Sequence, residues 1–426
     1  MTKFKTLLAI CWGIASFAAP AAAQTAELNP GDTGWILAAT CLVLMMTVPG
    51  LALFYAGLVR KKNVLSTMMQ SFAACCVVSL LWVFFGYSLS FSGSAPFLGD
   101  SAKFFLGGIT KDSAIGSIPE SLFMVFQMTF AILTPAVICG AFADRMKFSA
   151  LLWFLGAWLL LVYAPVAHWV WGGGFLAKMG LLDFAGGTVV EINSGIAGLV
   201  AAIMLGKRKG FPQEVMAPHN LILSVTGASL LWVGWLAFNG GSALAANATA
   251  AMALANTQIA GAAGALGWLA IEWFKHNKPS VLGIISGAVA GLVAITPACA
   301  FVSPMGALAI GLIAGLGCFY AVTSLKRRFG YDDSLDVFGV HGIGGYIGTL
   351  GIGVFGSSAW GGTAGLIEGS ATQLGIQALG CLIVTLWCGG MSFAILWVIK
   401  KLLGLRVSKE IEVDGLDLNL HGEVVA

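Results

Sequence analysis

Two side chains in this chain could move a proton where their surroundings are otherwise apolar. Glu191 lies in GGTVVEINSGIAGLV (186–200) and His341 in DVFGVHGIGG (336–345). A charged side chain at the centre of a bilayer costs about 2.5–3.5 kcal/mol on insertion scales, so an ionisable group there is by default a functional candidate. An imidazole titrates near neutrality, and a carboxyl in contact with it can exchange a proton with it. Two ligands alone are too few to hold a metal ion. A plainer reading stays open for both: a carboxylic acid acting as polar glue between helices, and a satisfied core histidine.

A second group is aromatic. FQMTF (126–130) puts Phe126 and Phe130 four residues apart, on one face of a helix. HWVWGGG supplies Trp171, and AFNGGS supplies Phe238 and Ser242. Such rings could hold a cation by their faces, worth up to about 2 kcal/mol when desolvated, with Ser242 accepting a hydrogen bond from it. The same residues also fit an ordinary aromatic belt at a membrane interface.

The elements that must position these groups follow from composition. The chain has 426 residues, 58% hydrophobic and only 10% charged, against about 25% charged in a soluble domain. The fold class expected is an all-α polytopic membrane protein. After a signal peptide at 1–23 (basic MTKFK, an apolar run, cleavage after Ala23) come eleven apolar segments. They run roughly 34–58, 64–90, 119–141, 148–170, 187–206, 219–239, 250–274, 281–300, 306–325, 337–356 and 371–399. The transmembrane domain is thus 24–403 and the tail 404–426. One set of loops is basic, with Arg60, Lys61 and Lys62, then Arg145 and Lys147, then Lys207, Arg208 and Lys209, and so on to Lys400 and Lys401. The other set holds only Lys103, Lys111 and Lys178. The positive-inside rule then puts the mature N-terminus outside and the C-terminus in the cytoplasm.

An internal repeat links the two ionisable residues. Glu191 opens E-I-N-S-G-I-A-G and His341 opens H-G-I-G-G-Y-I-G, sharing the glycine spacing. An aspartate precedes each, Asp183 in DFAGG and Asp336 in DVFG. GLALFYAG (50–57) and GWLAFNGG (234–241) also match. Both pairs are five segments apart. Five is odd, so the halves are inverted: two five-helix repeats plus a terminal helix. That plan places a site at the repeat interface, near mid-membrane.

These stretches resemble the ammonium transporter family (Amt, Mep and Rh). The carrying motifs are GLALFYAGLVRKKN (50–63), FADRMKFSA (142–150), AHWVWGGGFLAKMGLLDFAGGTVVEINSGIAGLV (167–200), PHNL (218–221), GWLAFNGGS (234–242), DVFGVHGIGG (336–345) and GLDLNLHGE (415–423). The resemblance implies a homotrimer in the bacterial inner (cytoplasmic) membrane, with one pore per protomer. It implies an outer ammonium site made of Phe126, Phe130, Trp171, Phe238 and Ser242, with Phe130 and Phe238 as two stacked gating rings. Asp183 would be the structural and recruitment aspartate, with Asp336 grouped beside it. The pore's twin-histidine pair falls on positions 191 and 341, so Glu191 stands where most relatives have histidine; some fungal members also carry glutamate there. Ammonium would bind outside, lose its proton near Phe130 and Phe238, and cross as ammonia while the proton passes the Glu191–His341 pair. A PII signal protein is the implied cytoplasmic partner, docking on GKRKGF (206–211) and the tail. No cofactor, metal site or enzymatic activity is expected. Two rival functions are an ammonium sensor acting through a partner and a passive channel for ammonia and other small neutral solutes.

Overall fold

The structure, a computed structural model, describes residues 27–425; the signal peptide expected at 1–23 lies outside the described residues. Among the described residues nine helices are long and apolar enough to cross a membrane. They are Pro30–Leu58, Lys61–Phe91, Glu120–Phe142, Phe148–Lys178, Gly187–Leu205, Leu221–Gly241, Pro304–Phe329, Phe338–Phe355 and Thr372–Leu402. A shorter apolar helix, Val281–Ile295, and a long Ala248–His276 helix complete the bundle. The latter is diluted by polar residues such as Asn256, Thr257 and Gln258, so length alone does not make it as apolar as its neighbours. One two-stranded hairpin, Ala114–Ile115 with Ile118–Pro119, sits in a loop. The chain is an all-helical, multi-pass membrane protein.

Local sequence sets the helix starts. Side chains of Asn220, Asn247, Ser280 and Ser303 each accept a hydrogen bond from the backbone N–H three residues on, the usual way to satisfy a helix's free first amides. Small residues then set the spacing between helices. A Cβ on Gly264 would stand 2.5 Å from the Gly287 carbonyl oxygen, and one on Gly315 would stand 2.3 Å from that of Gly264. Backbones can touch this way only where side chains are absent, and in lipid such close packing supplies much of the association.

At the end carrying the basic loops, Arg145 and Arg208 are buried rather than displayed. The Arg208 guanidinium donates to Asp332 at 2.8 and 2.9 Å and reaches Asp144 at 3.4 Å. Arg145 is fully buried and spends its donors on carbonyls of Gly206, Ala141, Ala143 and Asp332. The C-terminal segment closes over this network. Glu412 takes Arg406 at 2.7 Å and the Lys209 N–H at 2.8 Å. Asp417 accepts the N–H groups of Leu65 and Ser66 at 3.0 and 2.8 Å, capping the second long helix.

Burial alone would push the Asp332 carboxyl up, but hydrogen bonds and charge from Arg208, helped by Arg145, hold it below the ordinary aspartate range. A carboxyl lowered in the folded state stabilises above its unfolded value, and that contribution is lost only as pH falls through the lowered one. Asp332→Asn leaves Arg208 buried with half its partners, so we expect a loss of about 3–5 kcal/mol. Thermal unfolding in detergent checks it, as a lower Tm at neutral pH and a smaller gap from wild type in acid.

Candidate functional site

Two helices beginning with wide π-turns carry the ionisable pair. Glu191 lies in the Gly187–Ile192 turn and His341 in the Phe338–Gly342 turn. Such turns rotate side chains off the regular helical register and recur at functional sites. The helices cross where neither has a side chain: a Cβ on Gly195 would stand 2.3 Å from both Cα and N of Gly342. On the other side, a Cβ on Gly345 would meet the Glu191 Cβ at 3.0 Å. This contact brings His341 Nδ1 to 2.7 Å from Glu191 Oε2, with side-chain exposures of 8% and 1%. The distance is that of a charge-assisted hydrogen bond. With the carboxylate ionised, Nδ1–H donates and Nε2 is left for the lumen.

The Glu191 helix is held at its start by Asp183, which is buried. Its Oδ1 accepts the N–H groups of Gly186 and Gly187 at 2.7 Å each, and its Oδ2 accepts the Thr188 N–H at 2.7 Å and the Thr188 hydroxyl at 2.5 Å. Gly186 can make the turn because its φ is +123°. The loop itself is clamped by Gln377, whose amide donates to the Leu182 carbonyl at 2.7 Å and accepts its N–H at 2.9 Å. With both oxygens taken by the chain, Asp183 orders the start of this helix.

The aromatic residues converge. The Phe130 and Phe238 rings are stacked, centroids 4.1 Å apart with 32° between planes. Phe126 and Trp171 meet Phe130 edge-on at 5.0 and 5.8 Å. The Trp171 indole donates to the Asp183 carbonyl at 2.9 Å, so the ordering aspartate also sets that ring. Ser242 is half-buried, and its hydroxyl donates to the Phe238 carbonyl at 2.8 Å. Its lone pairs remain available to a donor.

Beyond the stacked rings the path is apolar. Trp235 sits 5.9 Å from Phe238, centroid to centroid. It also lines a narrow internal cavity with Leu51, Phe54, Leu133 and Leu231, into which Glu191 and His341 face. His341 and Phe54 line in addition a larger cavity of about 320 Å³ opening toward the basic-loop end, with Glu272, His276, Arg327 and Asp336 in its wall.

Comparison with known proteins bears on this arrangement. Residues 34–426 match the model of the Ammonium Transporter Family. The chain belongs to the ammonium transporter family. An ammonium transporter of Aquifex aeolicus is 49% identical over 409 residues, covering 96% of each chain. One from Bacillus subtilis is 49% identical over 400 residues, covering 93% of this chain and 98% of its own. The crystal structure of Saccharomyces cerevisiae Mep2 superposes with a TM-score of 0.84 at 36% identity, covering 90% of this chain and 89% of its own. Members of this family are transporters rather than enzymes.

The residues singled out in the sequence of this ammonium transporter therefore fall into two sets, the aromatic group and the Glu191–His341 pair, with the apolar cavity between them. Asp336 does not do for the second helix what Asp183 does for the first. It pairs with Lys326 at 2.8 Å, in the wall of the larger cavity. The capping carboxylate there is Asp333, whose Oδ2 accepts the Phe338 N–H at 2.8 Å. The spacing held the clue: Asp183 stands eight residues before Glu191 and Asp333 eight before His341, whereas Asp336 stands only five before. Trp235 was also missed, although it lies three residues before Phe238 and so on the same helix face. Of the basic loop read as a partner contact, Arg208 is buried in the Asp332 pair, leaving Lys207 and Lys209 exposed.

Proposed function

We propose that this ammonium transporter takes up ammonium by splitting it: ammonium is held outside by rings, ammonia crosses a dry lumen, and the proton passes the Glu191–His341 pair. The observation that carries this is the 2.7 Å contact between Glu191 and His341, at an apolar cavity that lies past two stacked rings. Ammonium and potassium are alike in size and charge, so a ring cage alone discriminates poorly between them. Ammonium can lose a proton and potassium cannot. A pore too apolar for an ion therefore passes the one and rejects the other. Glu191 stands where the family resemblance places the first histidine of a pair, and a carboxylate accepts a proton there as an imidazole does.

Phe126, Phe130, Trp171, Phe238 and Ser242 bind the incoming ion. The faces of Phe126 and Trp171 attract its charge and the Ser242 oxygen accepts one of its hydrogens, while Phe130 and Phe238 close the path behind it. Trp171→Ala removes one ring from the cage, a loss of about 0.5–2 kcal/mol. We expect the half-saturating ammonium concentration to rise by about 2- to 30-fold with the maximal rate less affected. Uptake measured against ammonium concentration tests it.

The wider arrangement follows the same reading. All eleven helices of the bundle cross the bacterial inner membrane, in two inverted five-helix halves plus a terminal helix. The mature N-terminus, freed by removal of residues 1–23, is outside, and the basic loops and the tail from residue 404 are cytoplasmic. The repeat is supported by matching offsets in the two halves: a capping aspartate, a residue of positive φ three positions on (Gly186 and Asp336), then a π-turn carrying the pore residue. The unit is a homotrimer with one pore per protomer, and a PII signal protein meets Lys207, Lys209 and the tail. Simultaneous measurement of current and uptake on wild type and Glu191→His is the deciding experiment. We expect current to accompany uptake in both, with a shifted pH profile in the variant. Uptake without current ends the relay half of the reading.

A further inference from the structure

The two helices carrying the pore pair start alike but are capped unequally. Asp183 has both oxygens filled, by three N–H groups and a hydroxyl within 2.7 Å. Asp333 is wholly buried, yet it accepts the Phe338 N–H on Oδ2 while its Oδ1 has no hydrogen-bond partner among the described residues. The difference is written in the sequence. Where the first helix has Thr188, whose hydroxyl reaches back to the aspartate, the second has Phe338.

The charged and titratable groups around Asp333 do little to replace what is missing. Lys326 acts on it favourably, but the Lys326 ammonium is already taken by Asp336 at 2.8 Å. Asp336 opposes its ionisation. Tyr55 and Tyr331 are neutral neighbours; the Tyr55 hydroxyl donates to the Val137 carbonyl at 3.0 Å instead. Burial, partly offset by Lys326 and by the backbone amides of Phe338 and Val337, pushes the Asp333 carboxyl up to about 6. The group lies ahead of the membrane-crossing helix that begins at Phe338, and the next residues, Ser334, Leu335 and Asp336, line the larger cavity below His341.

We infer that Asp333 is a titrating positioning residue for the pore pair: its charge holds the start of the His341 helix, and a proton taken from the inner solution releases that hold. This rests on the relay reading above. A carboxylate at a helix start is favoured by the positive end of the helix dipole. Once neutral, Asp333 loses that attraction, its bond to the Phe338 N–H weakens, and His341 is no longer fixed against Glu191. The charge beneath the pair, which favours a proton arriving there, disappears at the same time. Because the carboxyl is charged above its raised value and neutral below it, the hold is present at neutral inner pH and lost on acidification. Import that delivers protons inward thus slows itself when the interior turns acid.

The test uses the full chain in proteoliposomes of one orientation, with ammonium uptake and current followed together. The outer pH is held constant and the inner pH varied from about 7.5 to about 5, spanning the range in which a buried carboxyl titrates. In wild type we expect both readouts to fall about threefold or more across that range, with the midpoint above the ordinary aspartate range. Asp333→Asn, which keeps one acceptor for the Phe338 N–H but cannot ionise, should be slow and flat in inner pH. Asp333→Glu should restore the slope with a displaced midpoint. Gel filtration identifies a variant that fails to fold, and the Glu variant then decides. A wild-type profile in Asp333→Asn, or an undisplaced midpoint in Asp333→Glu, overturns the inference. Uptake without current in wild type instead removes the relay, while the inner-pH profile of uptake still judges Asp333.

Discussion

Glu191→Leu is expected to cut the ammonium-evoked current by about tenfold or more, a change of about 1.4 kcal/mol or more in the rate-limiting barrier. Leucine fills the space but neither accepts nor donates a proton. It also strips His341 Nδ1 of its Glu191 partner, and an unsatisfied buried donor costs about 1–3 kcal/mol, so a modest fall in Tm should accompany the loss. Glu191→Gln separates these effects. It keeps an acceptor oxygen for the imidazole and so keeps the fold, but its side chain does not ionise. We expect its stability to stay near wild type while its current falls with that of the leucine variant. If Glu191→Leu takes up ammonium and rejects potassium as wild type does, Glu191 is packing and nothing more.

Gly195→Val should be as damaging, by a different route. The added Cβ would lie 2.3 Å from the Gly342 backbone, whereas non-bonded carbons settle roughly 3.5–4.0 Å apart. The two pore helices must therefore separate by roughly 1–2 Å, which takes the 2.7 Å Glu191–His341 contact beyond hydrogen-bonding reach. Overpacking of this kind costs about 1–3 kcal/mol. We expect a folded protein of lower Tm whose uptake is reduced about tenfold or more, since small displacements of reacting groups carry costs of that size. A well-folded Gly195→Val with wild-type uptake would show that the crossing does not set the pair. The two variants also differ in a telling way: Glu191→Leu removes a group, while Gly195→Val leaves both groups in place and moves them apart.

Much of this was legible in the amino-acid order. Apolar runs of about 20 residues specify membrane helices because a helix of that length satisfies its backbone hydrogen bonds within the segment across the whole hydrocarbon layer. An isolated glutamate or histidine inside such runs stands out for the same energetic reason, so Glu191 and His341 could be picked without coordinates. The family motifs then tied Phe126, Phe130, Trp171, Phe238 and Ser242 to one site. Each of these residues is conspicuous by its own chemistry, and linear spacing carries that kind of information well.

What linear order left open concerns how groups from distant segments meet. Asp336 looked like the partner of Asp183 because it lies in the same motif as His341, but side-chain direction gave that place to Asp333 and turned Asp336 toward Lys326. Arg208 read as a free positive charge until folding buried it against Asp332, which is 124 positions away. The π-turns at Glu191 and His341 have no residue code of their own. They stand beside the close crossing of the two helices at Gly195 and Gly342. Composition and periodicity determined that this chain lies in a membrane and which groups are costly to bury there. Only the tertiary structure decided which of those groups touch, because contact depends on the crossing of helices 150 residues apart in sequence, and no local preference encodes that.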